Sequence, residues 1–344
     1  MEEMTIKDVA RICGVGVSTV SRAINNHPDI NQETKEMIIE TIRKYGYVPN
    51  NSARYLKKTE AKNIAVLVKG ITNPFFNDMI KIIEEEIKKK KYSLIMHHVD
   101  FNENEVDVAL ELVKEKRLRG IIFLGGYFTH SEEKLSKLLV PFILSTVGGT
   151  PEMFDRKDYS SISVDDVRES YRVVDELIQM GHRKIAMISA GNEDESIGKL
   201  RYQGYVQALN KHKIPLNDKL VISMKQSNVS YSMENGYEAT KELLATDEEF
   251  TALYAIADTL AIGACRAIYE AGKTVPGDYS VVGFDGIELG KYYCPSLSTL
   301  QQPIHEMAMA TVNLLFDILA DEEQHQHVVF EGTMILREST RRQK

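Results

Sequence analysis

The chain has 344 residues, 43% hydrophobic and 27% charged, with a net charge of −8. That is the size of two globular domains and a small third, and it excludes wholesale disorder and a coiled-coil rod. Three cysteines (Cys13, Cys265, Cys294) are too few and too scattered for a disulfide framework or a Cys-based zinc site, and no apolar run reaches the roughly 18 residues of a membrane span. The acidic start, Met1-Glu2-Glu3-Met4-Thr5, lacks an apolar h-region, so no signal peptide and a cytoplasmic location are expected, with no membrane partner. Charge is uneven: residues 1–58 hold nine Lys/Arg against seven Asp/Glu, a head of +2 on a body of −10. Such a split hints at a head that meets a polyanion.

The head reads as short helices. Thr5 begins an amphipathic stretch to Ile12, with Asp8 three residues on as a capping-box partner. Gly14-Val15-Gly16 breaks it, Val17–Asn25 follows, and a third helix opens near Asn31 and stops at Gly46. Tyr47-Val48-Pro49-Asn50 is extended because the residue before proline avoids the helical region. Ser52–Lys57 is a short helical stretch, and 59–62 a polar linker.

From Asn63 the texture changes to alternating strands and helices. Strands are expected at Ile64–Val68, Tyr92–Met96, Gly120–Leu124 and Phe142–Leu144, with helices at Phe75–Lys90, Glu105–Lys116 and Glu132–Leu139 between them. The rhythm restarts near Ser160. Helices Val167–Met180, Gly198–Lys211, Glu234–Leu244 and Leu260–Ala271 separate strands Ile185–Ile188, Leu220–Ser223, Ala252–Ile256 and Ser280–Phe284. Helix Ile304–Leu319 and a strand-like tail, Val328–Leu336, end the chain. The expected fold is a small all-α helix-turn-helix head plus an α/β body of two doubly wound parallel-sheet lobes. The expected boundaries are 1–49 for the head, 50–62 for hinge and linker, and 63–340 for the body. Its first lobe takes about 63–160 plus 297–320, its second about 161–290 plus 325–340.

Two helices joined by a tight Gly-containing turn make a helix-turn-helix unit. On Val17–Asn25, Val20, Ala23 and Ile24 share one face, while Ser18 and Arg22 share the opposite one with Val17, Ser21 and Thr19 beside them. Small hydroxyls around one arginine suit a major groove, where Arg pairs with guanine and Ser or Thr bonds phosphate or bases. A helical bundle with a solvated polar face is the structural alternative.

The literal string then becomes informative. Thr5-Ile6-Lys7-Asp8-Val9-Ala10, Gly14-Val15, Thr19-Val20-Ser21-Arg22-Ala23-Ile24-Asn25, Gly46-Tyr47-Val48-Pro49-Asn50, Ala53-Arg54 and Leu56 together resemble the LacI/GalR family of bacterial transcription regulators. The resemblance continues in Asn73-Pro74-Phe75-Phe76, Gly181-His182-Arg183-Lys184-Ile185, Arg201, Gly204-Tyr205, Val281-Val282-Gly283-Phe284-Asp285 and Arg337-Glu338-Ser339-Thr340. It implies a regulator, expected to be a repressor, that binds a pseudo-palindromic double-stranded operator as a homodimer. Val17, Ser18 and Arg22 match base-reading positions, Thr19 and Ser21 phosphate-contacting ones, and Thr5 and Asn25 complete the candidate set. Asn50, Ala53 and Leu56 match a hinge helix that enters the minor groove, where paired leucines wedge open a base step. Gly16 departs from the usual Ser or Thr before the recognition helix.

The implied body resembles periplasmic sugar-binding proteins, whose ligands lie beyond the carboxyl ends of the strands. Candidate effector residues therefore follow strands: Asn73, Phe75, Phe76, Arg201, Tyr231, Asp258 and Asp285. Arg201, Asp285, Tyr231 and Phe76 match the family's effector-contacting positions, whereas Asp258 also reads as a helix cap. Charged forks and aromatic plates suit a polyhydroxylated ligand, a sugar or sugar phosphate, with a purine or nucleoside as the alternative. Ala257 replaces a common Asn, and Ser145-Thr146-Val147 an acidic pattern, so the effector cannot be copied from a known member.

No catalytic motif, metal site or cofactor is expected. Gly272-Lys273-Thr274 has Ala267 where a P-loop needs glycine, and His97 and His98 point to opposite faces of one strand. Three rival functions remain: a solute-binding protein, against which the head counts; a sugar-modifying enzyme, which lacks a nucleophile–base constellation; and a helical head used for protein–protein docking, which binding to duplex DNA would separate.

Overall fold

A computed structural model describes residues 5–24, 30–45, 62–127, 130, 132–148, 159–190, 196–225, 230–321 and 324–343. Two units are compact on their own account, residues 1–60 and 61–344.

The smaller unit has helices α1 (Ile6–Cys13), α2 (Val17–Ile24) and α3 (Gln32–Tyr45). Thr5 Oγ1 accepts from the Asp8 amide at 3.4 Å and the Asp8 carboxylate accepts from the Thr5 amide at 3.1 Å, which completes the capping box. Gly14 takes φ +66°, the left-handed conformation in which a helix stops without a Cβ clash. The core is Val9, Ala10, Val20, Ala23 and Ile38, with Ile24 and Ile42 packed beside it. Burying Val20 and Ala23 leaves Val17, Ser18 and Arg22 exposed on the outer face of α2.

The body carries two six-stranded sheets. The first holds β1 (Asn63–Lys69), β2 (Ser93–Val99), β3 (Leu118–Leu124), β4 (Phe142–Ser145), β5 (Ser160–Val164) and β11 (His327–Phe330) in the order β11-β5-β4-β3-β1-β2, all parallel. The second holds β6 (Ile185–Ser189), β7 (Val221–Ser223), β8 (Ala252–Ala255), β9 (Ser280–Asp285), β10 (Ser298–Gln301) and β12 (Thr333–Ile335) in the order β12-β10-β9-β8-β6-β7. Only the β12–β10 pair is antiparallel among the pairs of this sheet. The centres of both sheets are fully buried, as in β1 from Ile64 to Val68, because helices cover both faces.

Two strands escaped the sequence reading. β5 reads Ser-Ser-Ile-Ser-Val, too polar for a buried run, yet all five residues are buried. Ser161 Oγ lies 2.8 Å from His327 Nδ1 and Ser160 Oγ 3.1 Å from His325 Nδ1, so partners on and beside β11 satisfy those hydroxyls. β10, Ser-Thr-Leu-Gln, is similarly polar, and Thr299 Oγ1 donates to Asp258 Oδ1 at 2.6 Å.

The lobe boundaries shift accordingly. β5 belongs to the first sheet and β10 to the second, and the expected tail strand divides into β11 in the first sheet and β12 in the second. The chain thus crosses between lobes three times, at 164–166, 301–304 and 330–333. Helix Ile304–Leu319 returns to the first lobe to pack on helix Phe75–Lys89 and β3 to β5. Helix Glu132–Leu135 is shorter than expected.

The motif at 181–185 closes the fold. His182 is buried, with Nδ1 2.8 Å from Thr251 Oγ1 and Nε2 3.0 Å from the Arg341 carbonyl. The terminal motif answers it: Ser339 Oγ accepts from the Ser298 amide at 2.8 Å and donates to the Val281 carbonyl at 2.6 Å.

Candidate functional site

The carboxyl ends of both sheets open on one cavity with about 930 Å³ of empty space, counted out to solvent. Its wall is made by the segments that follow β1, β2, β3 and β4 in one lobe and β6, β7, β9 and β10 in the other.

Arg201 lies in helix Ile197–Lys211, which follows β6, and is the largest fully buried side chain among the described residues. Its Nε donates to Asp166 Oδ1 at 2.8 Å, its Nη1 donates to the Ile256 carbonyl and lies 3.5 Å from Asp285 Oδ1, and its guanidinium lies 3.6 Å from the centre of the Phe284 ring. Asp166 and Asp285 hold this guanidinium charged although it is buried. Burial pushes Asp166 up to about 6 against the pull of Arg201.

Asp285 ends β9 at φ +119°, a strained conformation for a residue with a Cβ. That backbone aims its carboxylate into the cleft, where Asn73 Nδ2 donates to Oδ2 at 3.0 Å and Gln302 Nε2 donates to Oδ1 at 2.9 Å. Burial raises the carboxyl of Asp285 above its ordinary value, and Arg201 and these donors oppose the rise.

Asp258 does not line the cavity and does not cap its own helix, whose N-cap is Ala257. Its Oδ2 accepts from the Gly286 and Ile287 amides, both at 2.8 Å, and its Oδ1 from Thr299 Oγ1. Three donors fix it behind the wall, so it holds the turn that carries Asp285. Burial and the charge of Asp285 push its carboxyl up to about 8, against those three hydrogen bonds.

Asn73, Phe75, Phe76, Arg201, Tyr231 and Asp285 all line the cavity, so six of the seven candidates meet there. Asn73 Oδ1 also accepts from the Phe75 amide at 3.1 Å, and Tyr231 Oη lies 3.3 Å from Ser196 Oγ. The sequence reading missed a second cluster. Lys69 Nζ donates to the Glu103 carbonyl at 2.6 Å, stands 3.4 Å from Glu105 Oε2 and lies 4.1 Å from the centre of the Tyr127 ring. Glu105 Oε1 accepts from the Tyr127 amide at 2.7 Å and lies 3.1 Å from His130 Nε2. Burial would raise Glu105, but His130, Tyr127 and Lys69 hold it below the usual range. Gly126 leaves room for that carboxylate: a Cβ there would stand 2.4 Å from Glu105 Oε1, at φ +105°. Lys69, Phe101 and Tyr127 each stand at or just past the end of a strand that the sequence announces, the signal that could have found them. Asp166 and Gln302 were hidden because β5 and β10 were not recognised.

In the head, Val17, Ser18, Thr19, Ser21 and Arg22 all fall on α2, and Val17, Ser18 and Arg22 are exposed. Thr5 spends its hydroxyl on Asp8, to whose Oδ2 it donates at 2.6 Å. Asn25, Asn50, Ala53 and Leu56, with the hinge and most of the linker, lie outside the described residues.

Comparison with known proteins decides the family. A model for bacterial regulatory proteins of the lacI family matches residues 5–50, and one for a periplasmic binding protein-like domain matches residues 174–340. The HTH-type transcriptional regulator MalR of Clostridium butyricum is 40% identical over 338 residues, covering 98% of this chain and 99% of that protein. The chain belongs to the lacI family of bacterial regulatory proteins. It is a DNA-binding transcriptional regulator controlled by a small-molecule effector, and its relatives are regulators, not enzymes. Among solved structures, a CelR–cellobiose complex superposes on this LacI-family chain with a TM-score of 0.69 at 25% identity, covering 98% of this chain and all of the other. A LacI family regulator from Enterococcus faecium with bound ribose gives 0.70 at 29% identity, covering 82% of this chain and all of the other. No described helix is long and apolar enough to cross a membrane.

Proposed function

We propose that this LacI-family protein is a cytoplasmic repressor that binds a pseudo-palindromic operator as a homodimer and is released or tightened by a sugar held between its lobes. One observation carries the effector class: Arg201, Asp285 and Asn73, donors and acceptors in fixed geometry, share a cavity with Phe75, Phe76 and Tyr231. Carboxylate and guanidinium forks bond vicinal hydroxyls while rings cover the apolar face of a sugar. The solved relatives that carry cellobiose and ribose support the same class.

On the DNA side, Val17, Ser18 and Arg22 read bases, Thr19 and Ser21 contact phosphate, and Leu56 is the minor-groove wedge, with Asn50 and Ala53 beside it. A dimer follows from symmetry, since one head reads a half-site. The lobes transmit the signal because a ligand that touches both favours one lobe arrangement by its differential affinity. Operator titration by fluorescence anisotropy, with and without a panel of sugars and purines, tests the reading. A sugar should shift operator affinity, and operator should shift the affinity for that sugar by the same factor. A shift produced by a purine and by no sugar overturns the effector class.

A further inference from the structure

One buried charged cluster stands outside the Arg201–Asp285 network. Glu105 opens helix Glu105–Lys116 and is almost fully buried, which a carboxylate tolerates only with close partners. Lys69 Nζ stands 3.4 Å from its Oε2, His130 Nε2 3.1 Å from its Oε1, and the Tyr127 amide donates to Oε1 at 2.7 Å. Lys69 Nζ also lies 4.1 Å from the centre of the Tyr127 ring. The loop is shaped to this carboxylate. Gly125 and Gly126 take φ +69° and +105°, and a Cβ on Gly126 would stand 2.4 Å from Glu105 Oε1.

What the cluster holds in place is the backbone of Tyr127, and that backbone meets the other lobe. Tyr127 follows β3 of the first lobe and pairs with Ser196 of the second as an isolated antiparallel β-bridge. Ser196 is the N-cap of helix Ile197–Lys211, the helix that carries Arg201. Its Oγ accepts from the Gly198 amide at 3.2 Å and lies 3.3 Å from Tyr231 Oη. Side chains make the Asn73–Asp285 contact between the lobes, whereas backbone makes this one. Its geometry therefore depends on whatever fixes the two segments. On the second-lobe side that is the helix cap, and on the first-lobe side it is Glu105. An apolar packing of the same shape is often as stable as a buried ion cluster, so the use of this cluster lies in the geometry it fixes.

We propose that Glu105 is a positioning residue for lobe closure. Its carboxylate, itself fixed by Lys69 and His130, accepts from the Tyr127 amide and sets that backbone where the first lobe meets Ser196. That this contact bears on operator affinity rests on the lobe-coupling reading above.

Cysteine cross-linking of the full chain tests this without any effector. Residues opposed in an antiparallel pair have Cα atoms about 4.5–5.5 Å apart, within the roughly 4.4–6.8 Å that a disulfide spans. The double variant Tyr127→Cys/Ser196→Cys, treated with diamide, should form that disulfide, identified by peptide mapping. The two single variants control for Cys13, Cys265 and Cys294. Two substitutions in the double-cysteine background then separate reach from charge. Glu105→Asp keeps the charge but draws the acceptor back by one methylene, and should slow linkage ten-fold or more. Glu105→Gln loses the charge but keeps an acceptor within reach of the Tyr127 amide, and should stay within three-fold of the parent rate. No linkage in the parent, or linkage in Glu105→Asp as fast as in the parent, overturns the proposal. So does slowing by Glu105→Gln as great as by Glu105→Asp, since the cluster then acts through its charge. The linked protein is finally titrated against a duplex that the reduced protein selects from a random-sequence pool. It should bind five-fold or more tighter or weaker than the same protein reduced. Equal binding leaves the role of Glu105 standing and overturns the reading that lobe arrangement sets operator affinity.

Discussion

Asn73 of the first lobe donates through Nδ2 to Asp285 Oδ2 of the second at 3.0 Å, so a hydrogen bond to a carboxylate crosses the cleft. Asn73 lies just past β1 and Asp285 ends β9, at the carboxyl edges of the two sheets. The effector cleft and the tie between the lobes therefore share atoms. A ligand that engages Asp285 would act directly on one of the contacts that tie the lobes.

Asn73→Ala should destabilise the effector-free body by about 1.5–3 kcal/mol, the worth of a hydrogen bond to a charged group. The carboxylate of Asp285 keeps Gln302 and Arg201, which limits the loss. Thermal unfolding with and without effector checks it. An unchanged melting temperature in both states would show that the bond contributes nothing to lobe coupling.

Arg201→Ala should do more than abolish the effector response. It leaves Asp166 and Asp285 buried without their guanidinium, a change that costs roughly 3–5 kcal/mol. Gln302→Ala is the cleaner probe, because Asp285 retains Asn73 and Arg201. It should weaken effector binding about ten-fold, the equivalent of roughly 1.4 kcal/mol, while operator affinity without effector stays near the wild-type value. Operator titrations and melting curves of both variants separate the two outcomes. A full effector response in Gln302→Ala removes that residue from the site.

Stability should depend on pH through Asp258. An unfolded aspartate ionises near 3.9, whereas the folded carboxyl is pushed up to about 8. Between those values the folded chain holds a proton that the unfolded chain has released. Its contribution is therefore full below about pH 4 and is lost as pH rises through 8. Asp166, pushed up to about 6, acts with the same sign over a narrower window. Asp258→Asn should flatten the fall in melting temperature between pH 6 and 8. A wild-type-to-variant difference that stays constant from pH 5 to 9 shows that Asp258 does not titrate there.

Arg22→Ala should cost about 1–3 kcal/mol on the operator and relax preference at one base pair. The motivation is its exposure on the face of α2 opposite Val20 and Ala23. Anisotropy titrations on operator and scrambled duplexes decide it. Equal weakening on both would make Arg22 a phosphate contact.

What the sequence alone determined was whatever rests on local pattern. Periodicity placed the head helices and the face of α2 that Val20 and Ala23 bury, and Thr5 with Asp8 announced the first cap. Apolar runs placed the central strands, and the rule that ligands lie past strand ends put Arg201, Asp285 and Tyr231 in one cleft. The tertiary structure decided what depends on distant partners. β5 and β10 are polar in sequence and buried in fact, because hydroxyls such as Ser161 and Thr299 find His327 and Asp258 far along the chain. Asp258 reads locally as a cap or a ligand contact, yet the approach of Gly286, Ile287 and Thr299 makes it the support of the Asp285 turn. Burial, and the long-range pairing that satisfies it, converts a polar residue from surface to structure, and no local pattern records where that partner lies.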